Sequence, residues 1–341
     1  MPRSLPAALF ALALLGAASA AAAGPRVVVS IAPLHSLVAA VAGERTEPHL
    51  IVPAGQSPHT FSLAPSDARA LARADIVFSA GGATDRFLER PLDSLAGDAV
   101  KVRLLDMDGV RTLGARSGGV WRNPHGGEDG GEQDTAHTGD GDEGHGHKHG
   151  DDPTHGDPSA ETVDPHAWLD PRNAIAFVRA AAQRLGRIDP EHAGVYRANA
   201  DATIERIKAI DMALKKQLEP VAERPYLVFH DAYQYFESRY DLTPAGSIVV
   251  DPGRPPGARR LSELRERIGA LGATCLFVEP QFEPQIARTI AEGTGARIAE
   301  LDPLGAGLTP GPDLYPDLLR KLGESLRACL AGSVRSDGGS G

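Results

Sequence analysis

Short apolar runs alternate with amphipathic stretches along the first third of the chain. The run from Val27 to Ile31 predicts a buried strand, and the spacing of apolar residues from Leu34 to Val41 predicts a helix. The same alternation continues, with strands predicted at His49 to Val52, Asp75 to Phe78 and Val100 to Leu104, and helices at 66–73 and 85–89. Alternation of this kind is typical of a mainly parallel sheet flanked by helices.

A long helix is predicted in the middle of the chain. Asp189 and Pro190 are typical of a helix start, and apolar side chains then recur every three or four positions until Pro220. Roughly 30 helical residues span about 45 Å at 1.5 Å per residue. We interpret residues 189–220 as a rigid link between an N-terminal lobe, 24–188, and a C-terminal lobe, 221–332.

The alternation resumes after this link. Strands are predicted at Tyr226 to His230, Ser247 to Val250, Thr274 to Val278 and Ala296 to Ala299, and helices at 232–239, 258–270, 284–292 and 315–329. The expected fold class is therefore α/β, with two lobes of mainly parallel sheet joined by one long helix. Residues 333–341 are rich in Gly and Ser and are expected to be a disordered tail.

The composition changes abruptly at residues 117–161, where Gly, His, Asp and Glu dominate. With almost no aliphatic side chain to bury, this segment is expected to be a disordered insertion in the N-terminal lobe. Residues 121–161 contain eleven acidic residues and only two basic ones, Arg122 and Lys148. The segment therefore has a net charge of −9, whereas the whole chain has −10. Six histidines in it are expected to bind zinc weakly: His125, His137, His145, His147, His149 and His155.

The role of the insertion is open at this point. Four roles are considered for it: capture of zinc, sensing of zinc, docking of a periplasmic zinc metallochaperone, and a solvated spacer with no metal role. The composition and length of the segment indicate that it can change without harm to the fold. We therefore do not expect it to form the tight metal site.

The first 23 residues are expected to be a cleaved signal peptide. Arg3 precedes an apolar run from Ala7 to Ala18, and small residues follow it. The run is shorter than the ~20 residues that a membrane span needs. No Cys lies near the expected cleavage region. These features predict a periplasmic protein that is not a lipoprotein.

The chain has two cysteines, Cys275 and Cys329. An exported chain with an even number of cysteines usually pairs them, so one disulfide is expected. The alternative, a thiolate metal site, is disfavoured because neither has a Cys or His at ligand spacing.

Charge excludes one class of partner. The 35 Lys and Arg are outnumbered by 45 Asp and Glu, which leaves no basic excess for nucleic-acid phosphates. We expect a monomer that binds no nucleic acid.

Four polar residues are expected at the carboxyl ends of strands, where ligands gather in open α/β sheets. They are His59, His166, His230 and Asp302, two from each half of the chain. Three imidazoles and one carboxylate suit Zn(II), whereas Mn²⁺ or Ca²⁺ would require more oxygen ligands. Cu(II) and Ni(II) stay open, because imidazole suits them too. Asp231 and Glu279 are candidates to orient a ligand imidazole through its second nitrogen.

Four segments, in sequence order, resemble the signature segments of the ZnuA family, the periplasmic zinc-binding proteins of zinc ABC importers. The similarity covers about residues 26–331. The segments are Gly55 to Asp67, Asp164 to Pro171, Phe229 to Phe236 and Leu301 to Gly305.

This resemblance implies a two-lobed solute-binding protein of cluster A-I that holds the metal between its lobes. It implies that the ligands are His59, His166 and His230, and that zinc is delivered to the permease of an ABC importer. Some relatives have a Glu immediately before the first His, but Pro58 stands there in this chain and cannot bind metal. The fourth ligand is then Asp302 or a water, with Asp302 favoured.

Two other classes of function are weighed against this one. A hydrolytic zinc enzyme also uses three His and an open position, but the chain has no His-Glu-x-x-His helix and no Gly-x-Ser-x-Gly elbow. A zinc buffer or sensor would act through the His-rich segment. No enzyme activity is expected.

Overall fold

The structure is a computed structural model that describes residues 24–116, 163–249, 257–271, 274–282 and 285–332. The expected signal peptide (1–23), the His-rich insertion (117–161) and the C-terminal tail (333–341) lie outside the described residues. Those three assignments stay predictions, and so do the exact lobe boundaries.

The N-terminal lobe is built on a parallel sheet of four strands in the order β2-β1-β3-β4. In chain order they are β1 (Val27–Ile31), β2 (His49–Val52), β3 (Ile76–Ser79) and β4 (Val100–Arg103). Helices α1 (Ala32–Ala42), α2 (Pro65–Leu71) and α3 (Glu89–Ser94) connect them. Every residue of β1 is buried, as its four apolar residues out of five predict for a central strand of a parallel sheet.

Two long helices follow this sheet. Helix α4 (Pro171–Ile188) begins at Asp170, whose side chain accepts a hydrogen bond from the Arg172 backbone N–H, and Pro171 occupies its first turn. Helix α5 (Ala193–Leu218) is extended by 3₁₀ turns at Pro190–His192 and Glu219–Val221, which gives a helical run of 32 residues. The predicted long helix is confirmed.

The start of that run differs from the expectation in one detail. Asp189 occupies the cap position, but its carboxylate makes no hydrogen bond to a backbone N–H of the helix. It accepts hydrogen bonds from the His192 ring and the Tyr196 hydroxyl instead, at 2.9 and 2.7 Å. Asp189 therefore anchors the first two turns through side chains.

The C-terminal lobe repeats the topology of the first, with a parallel sheet in the order β6-β5-β7-β8. Its elements are β5 (Tyr226–His230), α6 (Gln234–Tyr240), β6 (Pro244–Val249), α7 (Ala258–Leu271), β7 (Cys275–Val278), α8 (Gln285–Ala291), β8 (Arg297–Glu300) and α9 (Leu314–Leu330). The predicted α/β fold with two parallel sheets and a long helix is confirmed.

The two lobes share one apolar core. It runs from the first sheet at Phe78 through α4 at Phe177 and α5 at Ile207 to the second sheet at Phe277. A second cluster, around Ile248, covers the other face of the C-terminal sheet. Because the same buried cluster includes side chains from both sheets and from α5, the long helix is packed into the molecule along one face.

A disulfide joins Cys275, at the start of β7, to Cys329, in the last turn of α9. Both residues are fully buried. The pairing expected from the sequence is confirmed, and no free cysteine is present. Within the described part of the chain, none of the helices combines the length and apolar character that crossing a bilayer requires.

Helices α5 and α9 pack closely at Gly323, where a Cβ atom would lie 2.2 Å from Cδ2 of the buried Leu214. We expect Gly323→Ala to lower the free energy of unfolding by about 1–3 kcal/mol, because overpacking forces shifts in a dense core. The matched control is Gly269→Ala in α7, where no heavy atom lies within 4 Å of the added Cβ. That variant is expected to stabilise by about 0.5–1 kcal/mol through helix propensity. Denaturant unfolding checks both, and stabilisation by both would contradict the close packing.

Candidate metal centre

Three imidazoles from distant parts of the chain meet between the lobes. His59 lies in the 3₁₀ turn Pro58–Thr60 that follows β2, His166 precedes the turn Ala167–Leu169, and His230 is the last residue of β5. One ring nitrogen of each lies within 4.8 Å of those of the other two. The ring centroid of His59 is 5.6 Å from both others, which are 5.3 Å apart.

The topology explains why these residues meet. In the second sheet, β5 has β6 on one side and β7 on the other, so the chain leaves its carboxyl end at a point where the strand order reverses. Ligand sites in open α/β sheets form at such points. His230 ends β5, and Glu279 follows directly after the neighbouring β7.

Two carboxylates bind the outward-facing nitrogens of the buried pair. Nδ1 of His166 lies 2.8 Å from Oδ1 of Asp164, and Nδ1 of His230 lies 2.5 Å from Oε1 of Glu279. An imidazole that donates its Nδ1–H to a carboxylate presents the lone pair of Nε2 on its other side. The Nε2 atoms of His166 and His230 face each other at 3.4 Å.

That separation fits a zinc ion. With Zn–N bonds of 2.0–2.1 Å at a tetrahedral angle, two ligand nitrogens lie about 3.3–3.4 Å apart. When both rings carry their proton on Nδ1, the two buried Nε2 atoms are facing acceptors, and neither has a donor. A cation between them satisfies both, so the donor set present here fits a tetrahedral metal.

The electrostatics of the site also favour a bound cation. Burial, helped by the neighbouring rings of His166 and His230, lowers the pKa of His59 to about 2, so this imidazole is neutral and available as a ligand. Burial also opposes protonation of His230. The negative charge of Glu279 and its hydrogen bond outweigh that effect and raise the pKa of His230.

Aromatic rings and a small cavity complete the site. The Trp168 ring lies 5.3 Å from His166, and the Phe282 ring lies 5.8 Å from His230. The Trp168 indole N–H is held by the carbonyl of Pro303 at 3.0 Å. The cavity that these residues line measures about 10 Å³. A space of ~10–15 Å³ holds a single water molecule, so this cavity has the size of one ion or one water.

Sequence comparison agrees with this geometry. The family described as "Zinc-uptake complex component A periplasmic", ZnuA, matches residues 27–329. The chain belongs to the ZnuA family. The chain is 44% identical over 321 residues to the high-affinity zinc uptake system protein ZnuA of Brucella suis, covering 93% of this chain and 96% of that protein. It is 38% identical to the ZnuA of Paracoccus denitrificans, covering 95% and 98%.

Solved structures show the same fold. A crystal structure of ZnuA superimposes with a TM-score of 0.69 at 21% identity, covering 89% of this chain and 98% of the other. A crystal structure of a ZnuA deletion mutant with zinc bound gives a TM-score of 0.68 at 22% identity, covering 89% and 96%. These solved structures therefore share the fold of this chain.

Asp302, the fourth residue expected at the site, is not part of the cluster of ligand atoms found among the described residues. Its Oδ1 atom accepts hydrogen bonds from the Gln281 side chain and the Leu304 backbone N–H, both at 2.9 Å. Its Oδ2 atom accepts one from the Ala306 backbone N–H at 2.5 Å. To join the three histidines the carboxylate would have to move toward them, and these hydrogen bonds hold it in its present position.

The residues that orient the imidazoles differ in part from those expected. Glu279 holds His230, as its position predicted, but Asp231 pairs with Arg116, and among the described residues it makes no hydrogen bond to a ring of the cluster. Asp164, which holds His166, was missed by the sequence reasoning. The position of Asp164, two residues before His166, could have indicated this role. An Asp side chain commonly accepts a hydrogen bond from a backbone N–H two residues later, and here the His166 backbone N–H donates to Asp164 Oδ1 at 3.0 Å.

The two orienting carboxylates are expected to affect metal affinity. Glu279→Gln and Asp164→Asn should each lower zinc affinity by about 10–100-fold, because loss of the carboxylate weakens the ligand and frees its ring to rotate. A competitive zinc titration measures the change. Asp67→Asn, at a carboxylate that binds His49 outside the cluster, is the matched control and should leave affinity unchanged. Equal affinities for all four proteins would contradict this role.

Proposed function

We propose that this protein captures Zn(II) between its two lobes in the periplasm and delivers it to the permease of a zinc ABC importer. The observation that carries the proposal is the 3.4 Å separation of the His166 and His230 Nε2 atoms, with His59 completing the cluster. The curated relatives named as high-affinity zinc uptake proteins support the choice of zinc and of an importer.

The ligands we propose are His59, His166 and His230, with either Asp302 or a water molecule in the fourth position. Three imidazoles fit Zn(II) better than Mn²⁺ or Ca²⁺, which require more oxygen ligands. Cu(II) and Ni(II) are compatible with the same donors, so metal availability contributes to selectivity. The hydrogen bonds that Asp302 already accepts from Gln281, Leu304 and Ala306 favour water as the fourth ligand.

We propose that the site binds metal and performs no reaction. An open fourth position also generates hydroxide in hydrolytic zinc sites. Here the cavity of about 10 Å³ is the size of one ion or one water, and no larger cleft for a substrate adjoins it among the pockets of the described residues. The carboxylates nearest the rings, Asp164 and Glu279, are engaged with the ligand imidazoles and are not placed to act as a base toward a substrate.

Export is part of the proposal. A cleaved signal peptide at residues 1–23 without a lipid-anchored Cys agrees with the family's description as periplasmic, and the Cys275–Cys329 disulfide suits an oxidising compartment.

We propose a monomer whose His-rich insertion binds zinc weakly and offers a docking strip to a zinc metallochaperone. Tight zinc binding is assigned to the cluster of His59, His166 and His230.

Growth under zinc limitation tests the function. In cells that lack their own zinc-binding component, the wild-type chain expressed with its cognate permease should restore growth in chelated medium. Variants with His59→Ala, His166→Ala or His230→Ala should not. The control is His192→Ala, whose ring binds Asp189 outside the cluster, and it should restore growth. Full restoration by a chain that lacks all three cluster histidines would refute the proposal.

A further inference from the structure

A second concave surface lies on the N-terminal lobe, outside the metal centre. This groove, of about 1080 Å³, runs between the edge strand β4 with the loop after it and helices α4 and α5. Seven basic and three acidic side chains line it, although the chain as a whole has a net charge of −10. We call it the basic groove.

Most of the positive charge in the basic groove is not neutralised locally. Arg179, Arg184 and Arg187 on α4 and Arg197 on α5 are exposed, and none of them has an ion-pair partner among the residues that the structure describes. Arg179 and Arg187 are two turns apart on α4 and therefore share a face. Guanidinium groups bind carboxylates well because they present paired donors in a planar fork.

We propose that the basic groove docks the acidic segment 121–161 of the same chain. Charge complementarity selects this occupant, since the segment carries eleven acids against two basic residues, a net charge of −9 where the whole chain has −10. The groove has seven basic and three acidic side chains, an excess of four positive charges. It is therefore expected to attract the acidic segment.

The connection of the chain makes this docking feasible. Gly109 lines the basic groove, and Arg172 lines it too. The described chain ends at Arg116, seven residues after Gly109. It resumes at Val163, nine residues before Arg172. Gly114 pairs with Val163 in a β-bridge, and Arg116 is ion-paired to Asp231, so the two ends of the segment leave the described chain side by side and the segment reaches the groove from there. A tether of this kind raises the effective concentration of the segment to about the millimolar range.

Carbodiimide cross-linking of the full-length mature protein tests the proposal. Arg179→Lys and Arg187→Lys keep the charge and add amines that couple to carboxylates in contact with them. Both variants should cross-link to acids within 121–161 several-fold more than the control Arg69→Lys, an exposed site on α2 outside the groove. The excess should disappear in 1 M salt, where the Debye length falls to about 3 Å. Cross-linking equal to the control would overturn the proposal.

Mixing isotopically labelled and unlabelled protein separates the possible occupants. Cross-links confined to one chain support docking of the chain's own segment. Cross-links that join labelled to unlabelled chains would assign the groove to a second copy and overturn the proposal.

A second variant provides an independent measurement. Arg179→Glu combined with Arg187→Glu should speed proteolysis at Arg122 and Lys148, the two tryptic sites in the segment, about threefold or more in low salt. Arg69→Glu is the control, and circular dichroism confirms that each variant is folded. Cleavage rates equal to wild type would overturn the docking.

Discussion

Replacing one cluster histidine by alanine is expected to lower the zinc affinity of the protein by about 100-fold or more. Structural zinc sites contribute roughly 10–16 kcal/mol from four ligands, so one ligand accounts for about 3 kcal/mol. At 1.4 kcal/mol per tenfold, that is about 100-fold in dissociation constant. A competitive titration against a chromophoric chelator measures the effect for His59→Ala, His166→Ala and His230→Ala.

His59→Ala is the cleanest of the three variants. His59 is partly exposed, whereas removal of His230 leaves the Glu279 carboxylate buried without the ring that it binds. His230→Ala is therefore expected to lose stability as well as affinity, because an unpaired buried charge is costly. The control His192→Ala should bind zinc like wild type. Unchanged affinity in all three cluster variants, or loss of tight binding on excision of 121–161 alone, would move the site away from the cluster.

Removal of the disulfide is expected to lower the free energy of unfolding by about 4 kcal/mol. The bond closes a loop with a sequence separation of 54 residues, and the chain-entropy estimate for a loop of that length is about 4 kcal/mol. The double variant Cys275→Ala with Cys329→Ala avoids leaving a thiol in a fully buried position. Denaturant unfolding at constant pH measures the change.

Two comparisons make the disulfide experiment specific. Wild-type protein unfolded under reducing conditions should lose the same stability as the double variant, since both lack the cross-link. Zinc affinity of the folded variant should be close to wild type, because neither cysteine belongs to the histidine cluster. A variant as stable as oxidised wild type would show that the bond contributes nothing to the fold.

The local pattern of the sequence was sufficient to predict most of the elements. The mostly apolar run at 27–31 predicted the fully buried central strand β1, and the spacing of apolar residues after Pro190 predicted α5. Periodicity works here because a strand with both faces buried and a helix with one face buried leave different repeats in the chain. The family motifs added the three histidines, which a search by spacing alone would leave scattered.

The contacts between distant residues were decided only by the tertiary structure. Asp231 is adjacent to His230 in sequence but pairs with Arg116, while Asp164 holds His166. Neighbours along a chain can point to different sides of the backbone, so sequence adjacency does not determine which side chains meet.

The same limit applies to charge and to coordination. The sequence established that the chain is acidic, its metal-binding residue types and its even number of cysteines. It did not show that Arg179 and Arg197 line one groove, or that Asp302 accepts three hydrogen bonds beside the metal centre. Composition and periodicity are properties of the chain itself, whereas a groove or a ligand shell exists only once packing brings separate elements together.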